Sequence, residues 1–215
     1  MFFIHFSHWF LKITGYPLYK IVFRTKIHYE DKSAQNRYIH GPALLISNHT
    51  SVFDYAIEIF TFYTRNIRMQ MAEVLFRKKP LGWLLRALGG IYVNRNIHSF
   101  GFVRKSLDIL EKGGVVGVFP ESRIPKPRES RPLPFKPSAA YIALAANVPI
   151  VPIYTDGCYF KLKKRAHVII GKPIMPADFN DPELEERENI NRLNDAMRDR
   201  VIELEKLLNE QKQQA

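Results

Sequence analysis

Residues 115–119, VVGVF, carry no polar side chain, and this run limits the possible folds more than any other stretch. A strand so uniformly apolar must be covered on both faces, as at the centre of a parallel sheet. Other short apolar runs repeat along the chain: ALLIS at 43–47, IRMQM at 67–71, IYV at 91–93, PIVPIY at 149–154 and HVIIG at 167–171. Helical stretches separate them. These are Asp54 to about Tyr63, residues 72–90 with a break at Pro80, SFGFVRKSLDILEKGG with Gly113 as its C-cap, and SAAYIALAAN. Strand and helix in alternation mean βαβ crossovers, hence an α/β fold with a mainly parallel central sheet and flanking helices. Ligands of such sheets bind beyond the carboxyl ends of the strands. His49, Arg95 and Glu121 each follow a predicted strand, which puts their loops on one rim.

The N-terminal segment, MFFIHFSHWFLKITGYPLYKIVFR, is the most aromatic part of the chain. His5, Lys12 and Pro17 interrupt it, so no run of 18 apolar residues is left for a transmembrane helix. It also lacks the basic start and small-residue cleavage site of a signal peptide. As a helix, it sets His5, His8 and Lys12 on one face and Phe2, Phe3, Phe6, Trp9, Phe10 and Ile13 on the others. Gly15 and Pro17 are expected to end that helix, and a second short one then carries Lys20 and Arg24. This two-helix element, residues 1–28, fits a membrane interface, with rings below and cations towards the headgroups. The competing reading packs the same rings onto the domain core. His5 and His8 have no third ligand in sight, so no metal site is expected there.

Residues 29–215 form the rest, one domain that closes with a helix at about 182–211. Its apolar stripe of Ile190, Leu193, Met197, Val201, Leu204 and Leu208 docks on the body or on a second copy. Charge is unevenly spread. Residues 177–215 hold 6 Lys and Arg against 11 Asp and Glu, a net −5, so the rest holds 26 against 10, a net +16. So basic a body needs an anionic partner: nucleic acid, a phospholipid surface or a phosphorylated small molecule. None of the usual nucleic-acid motifs is present. The single cysteine, Cys158, excludes an intramolecular disulfide and a cysteine zinc cluster, and it fits a reducing compartment.

The chemistry concentrates in SNHTSVFD, residues 47–54. His49 is the one good general base on the rim, because an imidazole titrates near neutrality. Asp54, if the turn folds back, accepts a hydrogen bond from one ring nitrogen and leaves the other free to take a proton. No GxSxG elbow offers a serine nucleophile. Ser51 reads as a helix-cap residue. The economical mechanism is direct attack by an acceptor hydroxyl, activated by His49, on an activated acyl group. Arg95 in GGIYVNR and Arg123 in FPESR supply planar forks that match phosphate oxygens, or else form surface ion pairs with Glu121. The loop PRESRPLPFKPS, which includes Lys136, fits either a lid over anionic groups or a stiff surface connection.

In this order the blocks Asn48-His49 with Asp54 after four residues, GGIYVNR, FPESR with PFKPS, and VPIVPIY resemble those of the lysophosphatidate and glycerolipid acyltransferase superfamily. The match spans about residues 41–155. The resemblance implies that His49 is the catalytic base and Asp54 its orienting partner. It implies that Arg95 binds the acceptor phosphate and that Asn48, Glu121, Ser122, Arg123 and Lys136 help form the acceptor site. It implies an acyl-CoA or acyl carrier protein donor as co-substrate, no cofactor, a phosphatidate product, and a seat on the cytoplasmic face of a bacterial membrane. Two departures bear on the acceptor more than on the reaction. The family usually has Glu-Gly-Thr-Arg where this chain has Glu121-Ser122-Arg123, and often glycine at Ser138. Glycerol 3-phosphate or a lyso-aminolipid are the alternative acceptors. A non-catalytic lipid binder would need no base, and a nucleic-acid binder would need neither His49 nor the aromatic N-terminus.

Overall fold

The computed structural model describes residues 2–94, 100–161 and 164–214. The chain runs α1 (Phe2–Val22), β1 (Lys26–Tyr29), β2 (Ala43–Ser47), α2 (Asp54–Thr61), β3 (Ile67–Ala72), α3 (Glu73–Arg77), α4 (Leu81–Ala87) and β4 (Ile91–Val93). It continues with α5 (Gly101–Glu111), β5 (Val115–Val118), α6 (Ser138–Ala146), β6 (Ile150–Thr155), β7 (His167–Ile170), a 3₁₀ turn (Pro176–Phe179) and α7 (Glu186–Gln213). The strands form one sheet in the order β1-β7-β6-β2-β5-β3-β4. Every neighbouring pair is parallel except β6 with β7.

The two central strands, β2 and β5, are buried along their whole length. Side chains alternate across a strand, so each central strand feeds two cores. Leu45 and Val115 face a core shared with Ile57 and Phe60 of α2 and Tyr19 of α1. Leu44, Ile46, Val116 and Val118 face the other core, with α5, α6 and α7. Gly117 is required in β5, because a Cβ there would collide with Met69 Sδ on the neighbouring strand. The tail stripe docks on the body: Leu193, Met197 and Val201 join the second core, and Leu204 and Leu208 pack on Ile169. Helix α7 begins at Glu186, not at Pro182, because an Asx turn intervenes, with Glu183 N–H donating to Asp181 Oδ1 at 2.9 Å.

The N-terminal segment departs from the sequence reading in two ways. It is one helix of 21 residues, with Pro17 inside it. An interior proline costs a helix about 3 kcal/mol, but residues beyond it are held by packing. Tyr19 stacks on Phe60 with ring centroids 4.5 Å apart, and Phe23 packs on Tyr19 at 5.5 Å. Gly15 is a packing position and not a stop: a Cβ there would lie 3.0 Å from the Phe60 ring. The rings face outward, as the interfacial reading requires and the core-packing reading does not, but the polar face turns towards the body and not towards headgroups. His8 is fully buried and donates from Nε2 to Leu88 O at 3.0 Å, and Lys12 Nζ donates to Arg65 O at 2.6 Å. Burial lowers the His8 pKa to about 4 and that of Lys12 to about 8. His8 and Lys12 therefore point into the protein, where two backbone carbonyls offer them acceptors, and His5 stays exposed. The rings of Phe2, Phe3, Phe6, Trp9 and Phe10, with the Ile13 side chain, stand in the open, from 50% to 85% exposed. Among the described residues, no helix is long and apolar enough to cross a membrane. Strand β1, KIHY, is an element the periodicity did not reveal: four residues at the sheet edge, held by parallel pairing with β7.

Candidate active site

The chain leaves β2 at Ser47, and Asn48 determines how it leaves. Its side-chain amide imitates a peptide unit: Nδ2 donates to Thr155 O at 2.9 Å, and Thr155 N–H donates to Oδ1 at 2.9 Å. The pairing of β2 with β6 is thus extended by one side chain. Asn48 is buried and committed to that backbone, so it positions the next residue.

The next residue is His49. Its backbone N–H donates to Glu121 Oε1 at 2.8 Å, and its ring lies flat on Phe119, with centroids 4.3 Å apart and planes 6° from parallel. Nδ1 donates to Asp54 Oδ2 at 2.8 Å. With that proton on Nδ1, the lone pair is on Nε2. The side chain is 18% exposed and lines a large cavity.

Asp54, the first residue of α2, is 1% exposed and collects five donors. Oδ2 accepts from His49 Nδ1, from Thr50 N–H at 2.7 Å and from Ser51 N–H at 2.8 Å. Oδ1 accepts from Thr50 Oγ1 at 2.9 Å and from the Tyr159 hydroxyl at 2.7 Å. Tyr159 lies 2.8 Å from Thr155 Oγ1, which donates to it, since its own proton goes to Asp54. A directed chain therefore runs from Thr155 through Tyr159 to Asp54, which also accepts from His49. Burial, and then the Asp54 charge, push the Tyr159 phenol far above its ordinary pKa, so it stays a donor. One turn further on, Glu58 is buried with no hydrogen-bond partner among the described residues. Burial, then Asp54, raise its pKa well above the usual carboxylate range.

Glu121 follows β5 and acts as a clamp. Oε1 takes the His49 N–H, and Oε2 takes the Leu133 N–H at 2.8 Å, tying two loops to the strand end. Burial raises its pKa against the pull of these two donors. Ser122 lines the cavity with φ of 61°, the left-handed region that glycine enters freely. Serine here holds the conformation that a glycine would hold. Lys136 is exposed and also lines the cavity. Arg123 lies on the surface, with its fork filled by Glu129 at 2.6 and 2.8 Å. That pairing holds the Glu129 pKa at about 2. Arg95 lies outside the described residues.

The cavity encloses about 870 Å³ and is mostly apolar. It joins His49 to Ile59, Leu75, Leu84, Leu88 and Val118. Its volume lies in the upper part of the range for small-molecule sites. A histidine at one wall of an apolar cavity, with the Nε2 lone pair available, suits proton removal beside an acyl chain. Ser51 is occupied as a turn residue, its Oγ accepting from Phe53 N–H at 3.3 Å. Sequence reasoning brought His49, Asp54 and Glu121 together correctly in space. It missed Tyr159, Thr155 and Phe119, whose one available signal was their place at or just beyond a strand end on the same rim.

The family model described as Acyltransferase matches residues 24–156. The 1-acyl-sn-glycerol-3-phosphate acyltransferase of Bacillus subtilis (strain 168) is 30% identical over 67% of this chain and 71% of its own length. The human 1-acyl-sn-glycerol-3-phosphate acyltransferase beta is 28% identical over 58% of this chain and 45% of its own length. The crystal structure of the 1-acyl-sn-glycerophosphate acyltransferase PlsC from Thermotoga maritima superposes with a TM-score of 0.60 at 21% identity, covering 85% of this chain and 73% of that one. The α/β architecture is thus that of the PlsC fold, and the chain belongs to the acyltransferase family.

Proposed function

We propose that the protein moves a fatty acyl group from an acyl thioester, on coenzyme A or acyl carrier protein, to the sn-2 hydroxyl of lysophosphatidate, giving phosphatidate. The observation that carries this reading is the His49–Asp54 pair opening on the apolar cavity. His49 Nε2 takes the proton of the acceptor hydroxyl while Asp54 holds the ring and steadies the imidazolium. The acceptor oxygen then attacks the thioester carbonyl. When the tetrahedral intermediate collapses, the C–S bond breaks and the thiolate takes the proton back from His49. Base catalysis of this kind contributes roughly 10²–10⁴ in rate. The apolar cavity receives the acyl chain. Lys136, with Arg95 and Arg123, supplies positive charge for the acceptor phosphate, and Glu129 gives way at Arg123 when that phosphate arrives.

The exposed rings of α1 support a docking role for that helix on the cytoplasmic face of a bacterial membrane; residues 26–28, grouped with it in the sequence reading, belong to β1 and so to the sheet of the catalytic body. The names of the relatives support lysophosphatidate as acceptor. The filled fork of Arg123 and the serine at 122 keep a second reading in play: the same chemistry on glycerol 3-phosphate or a lyso-aminolipid.

Thiol release from an acyl-CoA, with and without lysophosphatidate, tests the proposal in wild type and His49→Ala. Release that requires the lysolipid and disappears in the variant is expected. Release without lysolipid would sink direct transfer. If release needs a different lysolipid, the acceptor assignment fails and the mechanism stands. Failure with every donor and acceptor would leave a lipid-binding protein.

A further inference from the structure

The lip of the cavity carries a second aromatic patch, separate from the row of rings along α1. Phe53 and Val52 belong to the loop between His49 and Asp54, and both line the cavity. Phe160 directly follows Tyr159, the donor to Asp54. The rings of Phe53 and Phe160 meet edge to face at 4.7 Å, and both pack on Phe23, at 6.1 and 5.2 Å. Val52 and Phe53 at the lip, and Phe160 packed against Phe53, are open to solvent: 69%, 43% and 55%. Phe160 also has φ of 58°. A bulky residue in the left-handed region is a backbone outlier, and such strain gathers at functional positions. Stability alone would favour glycine there, and an exposed ring adds little to the core.

Charge indicates what covers the patch. Lys161, Lys164 and Arg165 follow Phe160, and all three are exposed. Lys164 N–H donates to Lys161 O at 3.1 Å, so the two lysines share one turn. Rings set among cations match a bilayer with anionic headgroups, where apolar burial and headgroup attraction add together. Phe23, which follows the last residue of α1, is buried in the core, so it ties the patch to the end of that helix.

We propose that Phe53 and Phe160, with Lys161, Lys164 and Arg165, form a second contact with anionic phospholipid that seats the cavity mouth on the bilayer. The inference rests on the reading that the acceptor is a membrane lysolipid. A mouth sealed to the headgroups lets that lipid enter without crossing water. Helix α1 holds the protein on the membrane, and the lip orients it.

Phe160→Gly separates this role from a structural one. Glycine relieves the φ strain, so a melting temperature at or above that of wild type is expected. Partition onto phosphatidylcholine vesicles containing phosphatidylglycerol should fall about tenfold, as expected for losing one buried aromatic ring. Lys161→Gln and Lys164→Gln should each cost roughly fivefold on those vesicles, little on pure phosphatidylcholine, and less in high salt. Thiol release with vesicle-embedded lysophosphatidate should fall with the partition, while release with a short-chain, monomeric lysophosphatidate stays unchanged. Variants that float like wild type would overturn the proposal, as would a change of oligomeric state in place of a loss of membrane binding. Weaker flotation in the variants, with no thiol release from wild type on any acceptor, would leave the docking surface standing and remove the acyl-transfer reading.

Discussion

Replacing Tyr159 by phenylalanine deletes one oxygen and keeps the ring. The edge-on packing with Phe23, at 5.5 Å, survives. What is lost is the 2.7 Å hydrogen bond to Asp54 Oδ1, and Thr155 Oγ1 loses the oxygen to which it donates. A hydrogen bond to a charged group contributes about 1.5–3 kcal/mol. Asp54 keeps four other donors, so a part of that sum reaches the reaction. About 1.4 kcal/mol, or tenfold in kcat, is the expected loss. KM should hold, because Tyr159 is not part of the cavity wall. The split between kcat and KM carries the more specific signature. Initial rates over a range of concentrations of detergent-dispersed acceptor, alongside thermal melts, measure both. An unchanged kcat would refute the positioning role and leave Tyr159 a packing residue. A loss as deep as that of His49→Ala would refute the graded arithmetic.

Two further outcomes follow from the same geometry. The His8 pKa is lowered to about 4 by burial, whereas an unfolded histidine titrates near 6.5, so the unfolded chain binds more protons between these values. Stability should therefore fall as pH drops from about 6.5 to 4, by about 3 kcal/mol in total. Denaturant melts at pH 7 and pH 5 should show this slope in wild type and a flatter one in His8→Leu. Ala72→Phe adds a ring to the cavity wall and should cut kcat/KM for long-chain donors well below that for short-chain ones. Equal losses across a donor series would rule out the cavity as the acyl site.

Much of the site was legible because it is local. His49 and Asp54 are five residues apart, so a single turn after a strand brings them together, and the run ALLIS marks where that strand ends. Glu121 was placeable on the same rim because VVGVF had to be a central strand, which set the direction in which its loop emerges. The second half of the network was not legible. Tyr159 meets Asp54 across 105 residues, and no local pattern registers such a contact. The roles of Asn48 and Glu121 as backbone clamps were also hidden, since the sequence names the side chain and not the peptide group it meets. Strand β1 escaped because four residues at an edge owe their form to β7 and not to their own periodicity.

Helix α1 marks the boundary between the two kinds of information. Its sequence determined that rings and polar groups lie on opposite faces, since helical spacing alone separates His5, His8 and Lys12 from Phe3, Phe6 and Phe10. Which face turns inward depends on what the body offers. Here the carbonyls of Leu88 and Arg65 satisfy His8 and Lys12, and Phe60 fills the notch at Gly15. The sequence by itself determined most of the strands, the His49–Asp54 pair and the amphipathic helix, because each arises from residues within a turn or two of one another. Only the tertiary structure decided that the aromatic face looks outward and that Tyr159 supports Asp54, because both depend on groups distant in the chain and adjacent only once it has folded.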